Sequence, residues 1–419
     1  MTGEQHNTGS AHVTSELHPT EETQRLTAPG MPAPLGARFG DGKAWLTAAS
    51  TAGLAWLATL CVGAVCLLAP KLQFPGFARG SDPVEMFTGV VVMSLALFGV
   101  PVHIGGLTIS ALPLGALVVV GVTIAWLVAG STDRPAGSLF GAIAVGARVA
   151  SVFALVAVLL SLVFRLRGRE TVAADAPLSL LLTFWWCGLF AVAGALRHPR
   201  SWKAAIGARI AALPRDRAGP SGIGGGSVMV AVASLLAVAA LILWIIVAFA
   251  SGPVADVGWG DVFAAIVYLV AFLPNVVTAI VALSMGAPVL QGAQVGVGGR
   301  LIGDLQEFSL LDRANAPVLI YALLIIPVLA GTAGGWFVAR WNATRTLAWR
   351  PVLIAAFVFA LTFALLAWIG EARVGAGLVR DKGFARVAVL PIPTFAWAML
   401  WGSVFGWFGW ELAMRKSSS

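Results

Sequence analysis

The sequence predicts an all-α membrane protein, a polytopic bundle of about ten (nine or ten) transmembrane helices with a disordered N-terminal tail. Between Ala44 and Leu412 it contains about ten apolar runs. A run of about 18 residues is long enough to cross a hydrocarbon core of ~30 Å as a helix. Only 11% of the residues are charged, whereas soluble domains carry about 25%. The runs lack the period-two alternation of barrel strands, so we expect helices, which pair their backbone internally.

The domain organisation follows from the positions of these runs. Residues 1–43 are polar, with sparse and aperiodic apolar positions, which predicts a disordered tail. Residues 44–412 are expected to form the transmembrane helical domain, and 413–419 a short C-terminal tail. The predicted spans are 44–69, 84–102, 107–130, 139–164, 177–196, 226–251, 259–284, 317–339, 351–370 and 387–412.

A basic segment, 197–225, separates two candidate halves of the bundle, 44–196 and 226–412. It contains six Lys and Arg residues and is followed by a flexible joint, because Pro220–Gly226 is a Pro/Gly/Ser stretch. The basic part is either an ordinary loop or a short helix in the headgroup plane. We find no convincing internal repeat across this segment.

The distribution of Lys and Arg conflicts with a simple ten-span topology. Cytoplasmic loops of membrane proteins carry an excess of these residues. With ten spans and the N-terminus inside, the inner segments carry 11 of the 27 and the outer segments 15, and Arg148 lies within a run. Either the span count is off by one, or the segment 197–225 is exceptional.

Arg148 is the most conspicuous polar residue inside a run, about a third of the way into 139–164. A charge at this depth is costly, so it usually faces the bundle interior or water and has a partner. Glu85, at the start of the second run, is a candidate partner. Arg148 therefore either fixes packing, or contributes to a transport or ligand site.

Pro274 and Asn275 lie in the middle of the run 259–284. Proline removes a backbone donor and frees the carbonyl four residues earlier. Asparagine could satisfy this break or bond to another helix. The pair is either a packed kink or part of a transport site, because transporters often build their sites at mid-membrane breaks.

A glycine-dense segment, 286–303, is too apolar for an ordinary linker and too rich in glycine for a stable helix. It is either a structural loop or a re-entrant loop surrounded by protein or water. The candidate residues of a re-entrant loop are Gly296, Gly298, Gly299 and Asp304.

The sequence also argues against several classes of function. The formal net charge is +8, but no nucleic-acid-binding motif accompanies it, and anionic headgroups account for basic residues between the runs. No CxxC pair, zinc motif or Walker sequence occurs. We therefore expect no catalytic residues, no metal, no cofactor and no nucleic-acid partner. The expected location is the cell inner (cytoplasmic) membrane, with the lipid bilayer as the main partner.

Several short motifs together resemble a known family. They are Leu95-Ala-Leu-Phe-Gly-Val-Pro-Val102, Ala111-Leu-Pro-Leu-Gly115, Leu273-Pro-Asn275, Gly286 with the glycine-rich stretch, Phe308-Ser-Leu-Leu311 and Pro317. They are similar to motifs of the actinobacterial PerM-like family of polytopic integral membrane proteins, over roughly half of the membrane region. The resemblance implies a link to cell division and envelope maintenance through contacts with divisome or other membrane proteins. It supplies no catalytic residues, and the chain departs from the family at Phe98, where a His is expected.

Two hypotheses of function follow. The leading one is a non-enzymatic integral membrane protein that acts as a scaffold in cell division or envelope maintenance. The alternative is a secondary transporter of a small solute that uses a polar site near Arg148 and the Pro274 kink. A membrane-embedded lipid enzyme is the least favoured class, because the runs contain too few acid–base groups.

Overall fold

The computed structural model describes twelve stretches of the chain. They are 42–73, 83–104, 107–131, 139–167, 172–196, 218–251, 258–297, 300–302, 305–309, 321–341, 349–378 and 381–416. The predicted disordered tail 1–43 lies outside them, apart from the first two residues of the first helix. Residues 44–419 form one compact unit.

Ten α-helices occur in the described residues, each within or overlapping a predicted apolar run. They are α1 (Gly42–Gln73), α2 (Pro83–Ala96), α3 (Leu114–Ser131), α4 (Leu139–Arg167), α5 (Ala176–Leu196), α6 (Ala218–Ser251), α7 (Trp259–Ser284), α8 (Ile325–Trp341), α9 (Trp349–Ile369) and α10 (Pro391–Lys416). The predicted polytopic helical bundle is confirmed.

Eight strands of the described chain lie between these helices and were not predicted. They are β1 (Val102–Ile104), β2 (Leu107–Ala111), β3 (Val172–Ala174), β4 (Val289–Val297), β5 (Arg300–Ile302), β6 (Leu305–Phe308), β7 (Ala372–Leu378) and β8 (Asp381–Val389). They pair in the order β3-β1-β2-β7-β8-β4-β5, with β6 also on β4. We call the end of the bundle where they lie the sheet end.

The strands are an addition to the predicted helical bundle. Short apolar strands cannot be distinguished from helix by hydrophobic periodicity alone. The predicted spans 84–102 and 107–130 therefore included residues of β1 and β2. Helices α2 and α3 are shorter than these spans.

Eight helices, α1 and α3–α9, are long and apolar enough to cross a membrane by length and composition. The fourteen residues of α2 are too few, and the tryptophans of α10 lower its mean hydropathy. Outward-facing side chains such as Trp126 (73% exposed) and Leu181 (63% exposed) are apolar. Apolar faces of this extent are typical of helices that contact lipid.

The buried side chains form two clusters. One draws on α1–α5, together with Ala271 of α7, and contains the stacked rings of Trp56 and Phe153, 4.5 Å apart. The other draws on α6–α10 and contains Phe359 and Phe363, whose ring centroids are 5.3 Å apart. The core therefore divides along the chain between α5 and α6.

The same strand arrangement occurs twice. In the first set β1 pairs with both β2 and β3, and in the second set β4 pairs with both β6 and β8. The first residue of the central strand, Val102 or Val289, pairs with both neighbouring strands in each set. This structural repetition corrects the sequence finding of no internal repeat.

A backbone hydrogen bond next to the strands is repeated as well. The amide of Asp175 donates to the carbonyl of Pro101, and the amide of Leu390 donates to that of Pro288, each at 3.3 Å. In both cases the acceptor precedes the central strand, and the donor lies between the third strand of the set and the next helix. The order of α1–α5 with β1, β2 and β3 is therefore matched by α6–α10 with β4, β6 and β8, whereas β5 and β7 have no counterpart in the described part of the first set.

Helices α1 and α6, the first helices of the two repeated arrangements, both run toward the sheet end. In the first set, the indole of Trp56 donates to the carbonyl of Phe153 at 3.0 Å, and Ala48 lines a common cavity with Val149. The two contacts occur in the same order along α1 and α4, so the two helices run parallel to each other. Since α4 is followed by β3, both helices run toward the sheet end.

The same relation holds in the second set. A Cβ added at Gly222 would contact Ile354, and one added at Gly226 would contact Val358. Advancing four residues along α6 therefore corresponds to advancing four along α9, which is followed by β7. The two helices run in parallel toward the sheet end.

Two predictions of chain boundaries are wrong. Helix α6 begins at Ala218, so Pro220–Gly226 is helical rather than a flexible joint. Its glycines are needed for close packing, because a Cβ at Gly225 would press on Val338, and proline is tolerated in a first helical turn. Helix α10 continues to Lys416, into the predicted tail 413–419. Residues 197–217 of the basic segment lie outside the described residues.

Candidate functional site

Asn275 links three segments of the bundle. Its Oδ1 accepts a hydrogen bond from the amide of Leu114 at 3.1 Å. Its Nδ2 donates to the carbonyl oxygens of Leu112 and Gly370, at 3.1 and 3.2 Å. Asn275 thereby satisfies a backbone amide in the first turn of α3 and carbonyls at the end of α9 and before α3. It joins α7 to helices of both core clusters.

Pro274 creates the place where α7 meets α3. Because proline lacks an amide proton, it leaves the carbonyl of Val270 without its helical donor. A Cβ added at Gly115 would overlap that oxygen, and it would also crowd the carbonyl of Ala271. Only glycine at this position allows α3 to lie directly against the interrupted part of α7.

Helix α7 ends inside the bundle. The indole of Trp401 donates to the carbonyl of Met285 at 2.9 Å, and Trp401 lies ten residues into α10, about 15 Å from its start at 1.5 Å per residue. Yet Pro288, three residues after Met285, is bonded to Leu390 just before α10. The chain thus turns back to the sheet end, through Gly286 with its positive φ of 88°.

Helix α2 behaves in the same way. Phe87 contacts Phe164, near the sheet end of α4, whereas Phe98 contacts Phe153, with ring centroids 5.4 Å apart in both pairs. Phe164 and Phe153 are about 16 Å apart along the helix. Gly99, with a φ of 80°, then reverses the chain toward β1. Helices α2 and α7 both return to the sheet end, and we call them the returning helices.

Sequence reasoning missed these reversals although a signal was present. The motif Gly99-Val-Pro-Val102 recurs as Gly286-Ala-Pro-Val289. In both copies the glycine has positive φ, which side chains other than glycine rarely adopt, and the valine begins a central strand. A two-copy motif of this kind marks a structural repeat even where the intervening sequences differ.

Arg148 is buried, with 9% of its surface exposed, and lies at the end of the bundle opposite the sheet. It lines a cavity of about 130 Å³ with residues of α1 and α3. Glu85 is not its neighbour. Phe87, two residues later, contacts Phe164, which lies sixteen residues from Arg148, about 24 Å along α4. The predicted pair of Arg148 with Glu85 is therefore wrong.

The glycine-dense segment forms strands rather than a loop. Gly296 belongs to β4 and pairs with Leu301 of β5. Gly298, Gly299 and Asp304 lie outside the described residues. The chain reversals observed in the described residues follow the returning helices, which the sequence did not single out. The described residues contain no group of three or more His, Cys, Asp or Glu that could hold a metal ion.

Comparisons with known proteins give one partial relative. The chain is 31% identical to multidrug resistance protein D of Escherichia coli (strain K12) over 113 residues, 26% of this chain and 27% of the relative. The chain thus spans about a quarter of the length of the curated protein that it matches. No family model matches it, and no solved structure matches it. Composition, fold and this similarity together establish a multi-pass integral membrane protein.

Proposed function

We propose that the protein is a transporter of a small solute, built from two halves, 44–196 and 226–412, with the same order of helices. The observation that carries the proposal is the pair of returning helices, one in each half. Secondary transporters are commonly built from two repeats with discontinuous helices that end near the middle of the membrane. Such helix ends expose backbone groups where a solute can bind.

This architecture implies eight crossings, by α1, α3–α6 and α8–α10. Helices α2 and α7 both return to the sheet end after reaching into the bundle, and in this proposal neither changes sides. Length and mean hydropathy alone instead select α7 as a membrane-spanning helix and leave out α10. We favour α10 because it begins beside β8, as α8 begins after β6, and its 26 residues could span about 39 Å. Apolarity alone cannot reveal that α7 turns back.

The eight-span topology agrees with the distribution of Lys and Arg, which conflicted with the ten-span topology. The chain termini and the basic segment then lie on the same side of the membrane, together with the connections α3–α4 and α8–α9. That side carries 15 of the 27 Lys and Arg residues and the sheet side carries 11. The positive-inside tendency therefore places both termini in the cytoplasm and the sheet on the outer face, in keeping with a cytoplasmic membrane.

Cysteine labelling tests this topology in the full-length protein. In a background with Cys61, Cys66 and Cys187 replaced by alanine, we expect a cysteine at Thr171 to react with a membrane-impermeant maleimide added to intact cells. A cysteine at Ser201 should react only after the cells are lysed. The ten-span topology with the N-terminus inside predicts the reverse pattern at both positions, so that result would rule out the eight-span arrangement.

The polar centre of the proposed transport pathway is the junction around Asn275. Two of its three hydrogen bonds, with Leu114 and Leu112, connect the halves, so relative movement of the halves must alter these two. The partial similarity to a multidrug resistance protein makes small organic drugs the first solutes to test. Transport of this kind makes no covalent change, so no catalytic residues are needed.

A drug-susceptibility and efflux experiment tests transport. Cells that overproduce the protein should tolerate at least one compound of a broad drug panel better than cells without it, and should lose that compound faster after loading. Asn275→Ala should abolish the difference at an equal amount of protein in the membrane. If deletion instead alters cell length and division proteins co-purify, with no effect on any compound, the scaffold suggested by the family resemblance is the better hypothesis.

A further inference from the structure

The cavity at Arg148 is a second polar feature, separate from the Asn275 junction. It lies between the first turns of α1, the last turn of α3 and the N-terminal part of α4, at the end of the bundle opposite the sheet. We call it the Arg148 cavity. Its lining residues are Ala44, Thr47, Ala48, Thr51, Ser131, Val145, Arg148 and Val149.

The only charged group among the described lining residues of the Arg148 cavity is the guanidinium of Arg148. Among the residues that the structure describes, those that line the cavity include no carboxylate. The hydroxyl of Thr51 donates to the carbonyl of Thr47 at 2.8 Å, and that of Ser131 to Val128 at 3.1 Å, so these two protons are already used within the helices. The five N–H donors of the guanidinium are the strongest polar groups facing the space. Arg148 also interacts within the protein, and five donors can serve both purposes.

Arg148 lies in the half of α4 that is farther from the sheet. It lies nine residues after Leu139, the first residue of α4, about 13 Å from the helix end. The neighbouring Thr47 is exposed, so the cavity is accessible from the surface of the bundle. A planar guanidinium binds phosphate in a bidentate manner, with two charge-assisted hydrogen bonds.

We propose that the Arg148 cavity binds a phosphate group, carried either by an anionic phospholipid or by a soluble phosphate. A phosphate in a cavity of this volume would accept hydrogen bonds from the guanidinium N–H groups that face the space. The proposal does not depend on transport, because a bound phosphate would also stabilise a scaffold.

The test compares binding by purified full-length protein in nanodiscs and detergent. One arm measures thermal stability in phosphatidylglycerol against phosphatidylcholine nanodiscs, and native mass spectrometry counts the retained phosphatidylglycerol. The other arm adds inorganic phosphate to protein in neutral detergent, with chloride at equal ionic strength as reference. We expect Arg148→Gln to weaken binding in the responding arm about tenfold, the ratio expected for the loss of a charge-assisted hydrogen bond.

The matched control is Arg350→Gln. Arg350 is exposed at the N-terminus of α9, next to the ring of Trp349, and its replacement should leave binding unchanged. A response to phosphatidylglycerol alone identifies a lipid headgroup, and a response to inorganic phosphate identifies a soluble anion. If neither arm depends on Arg148, or if both variants weaken binding equally, the cavity is not a phosphate site. Arg148→Lys keeps the charge without the bidentate geometry and should recover only part of the affinity.

Discussion

Gly335→Ala should strongly destabilise the protein, because the added methyl group has no room. A Cβ at this position in α8 would overlap the carbonyl oxygen of Gly406 in α10. The two helices pack backbone to backbone at this point, as small residues allow in membrane bundles. Relief of the overlap requires the helices to separate, and overpacking of this kind costs about 3 kcal/mol. We expect a lower midpoint of thermal unfolding in detergent and less protein in the membrane.

Gly53→Ala is the matched control for Gly335→Ala. Gly53 also lies in the interior of a helix, α1, but a Cβ there would meet no atom within 4 Å. Alanine should be neutral or stabilise the helix by up to about 1 kcal/mol, through its higher helix propensity. Equal midpoints of unfolding for the two variants would show that α8 and α10 do not pack closely at Gly335.

Asn275→Leu should have the second largest effect, because it removes three hydrogen bonds at once. Interhelical hydrogen bonds in membranes contribute on average about 0.6 kcal/mol each. The carbonyls of Leu112 and Gly370 would also lose this donor, and a buried group left unsatisfied costs about 1–3 kcal/mol. We expect a loss of about 2 kcal/mol, measured as a lower midpoint of thermal unfolding.

Thr123→Val is the control for Asn275→Leu. It also removes a polar group from a helix, but the hydroxyl of Thr123 donates only to Val119 within α3. This change should leave the midpoint of unfolding nearly unaltered. A similar shift for both variants would indicate a general response to lost polarity, rather than a specific role of Asn275 in joining the two halves.

The helices were largely predictable from local sequence. The predicted span 259–284 coincides with α7, and the predicted spans 139–164 and 177–196 differ from α4 and α5 by one to three residues at their ends. Long continuous apolar runs leave little choice in lipid, because each backbone amide must find its acceptor within the same segment. Length and apolarity are local quantities, so the sequence states them directly.

The candidate site was only partly predictable. Pro274 and Asn275 were recognisable as an interruption of an apolar run. The partners of Asn275, Leu112 and Leu114, lie more than 160 positions away in the chain, and no local pattern indicates them. The proposed pairing of Arg148 with Glu85 failed for the same reason, because spatial distance between helices depends on how they are arranged.

By itself, the sequence determined that the protein is a membrane protein with ten apolar helical segments, and it located the polar interruptions within them. Only the tertiary structure showed that the chain turns back to the sheet end after α2 and after α7. The apolar composition of α7 is that of a spanning helix, yet contacts at Met285, Pro288 and Gly286 turn the chain back. Hydropathy measures the preference of a segment for lipid, whereas its path depends on backbone reversals and on hydrogen bonds between distant segments.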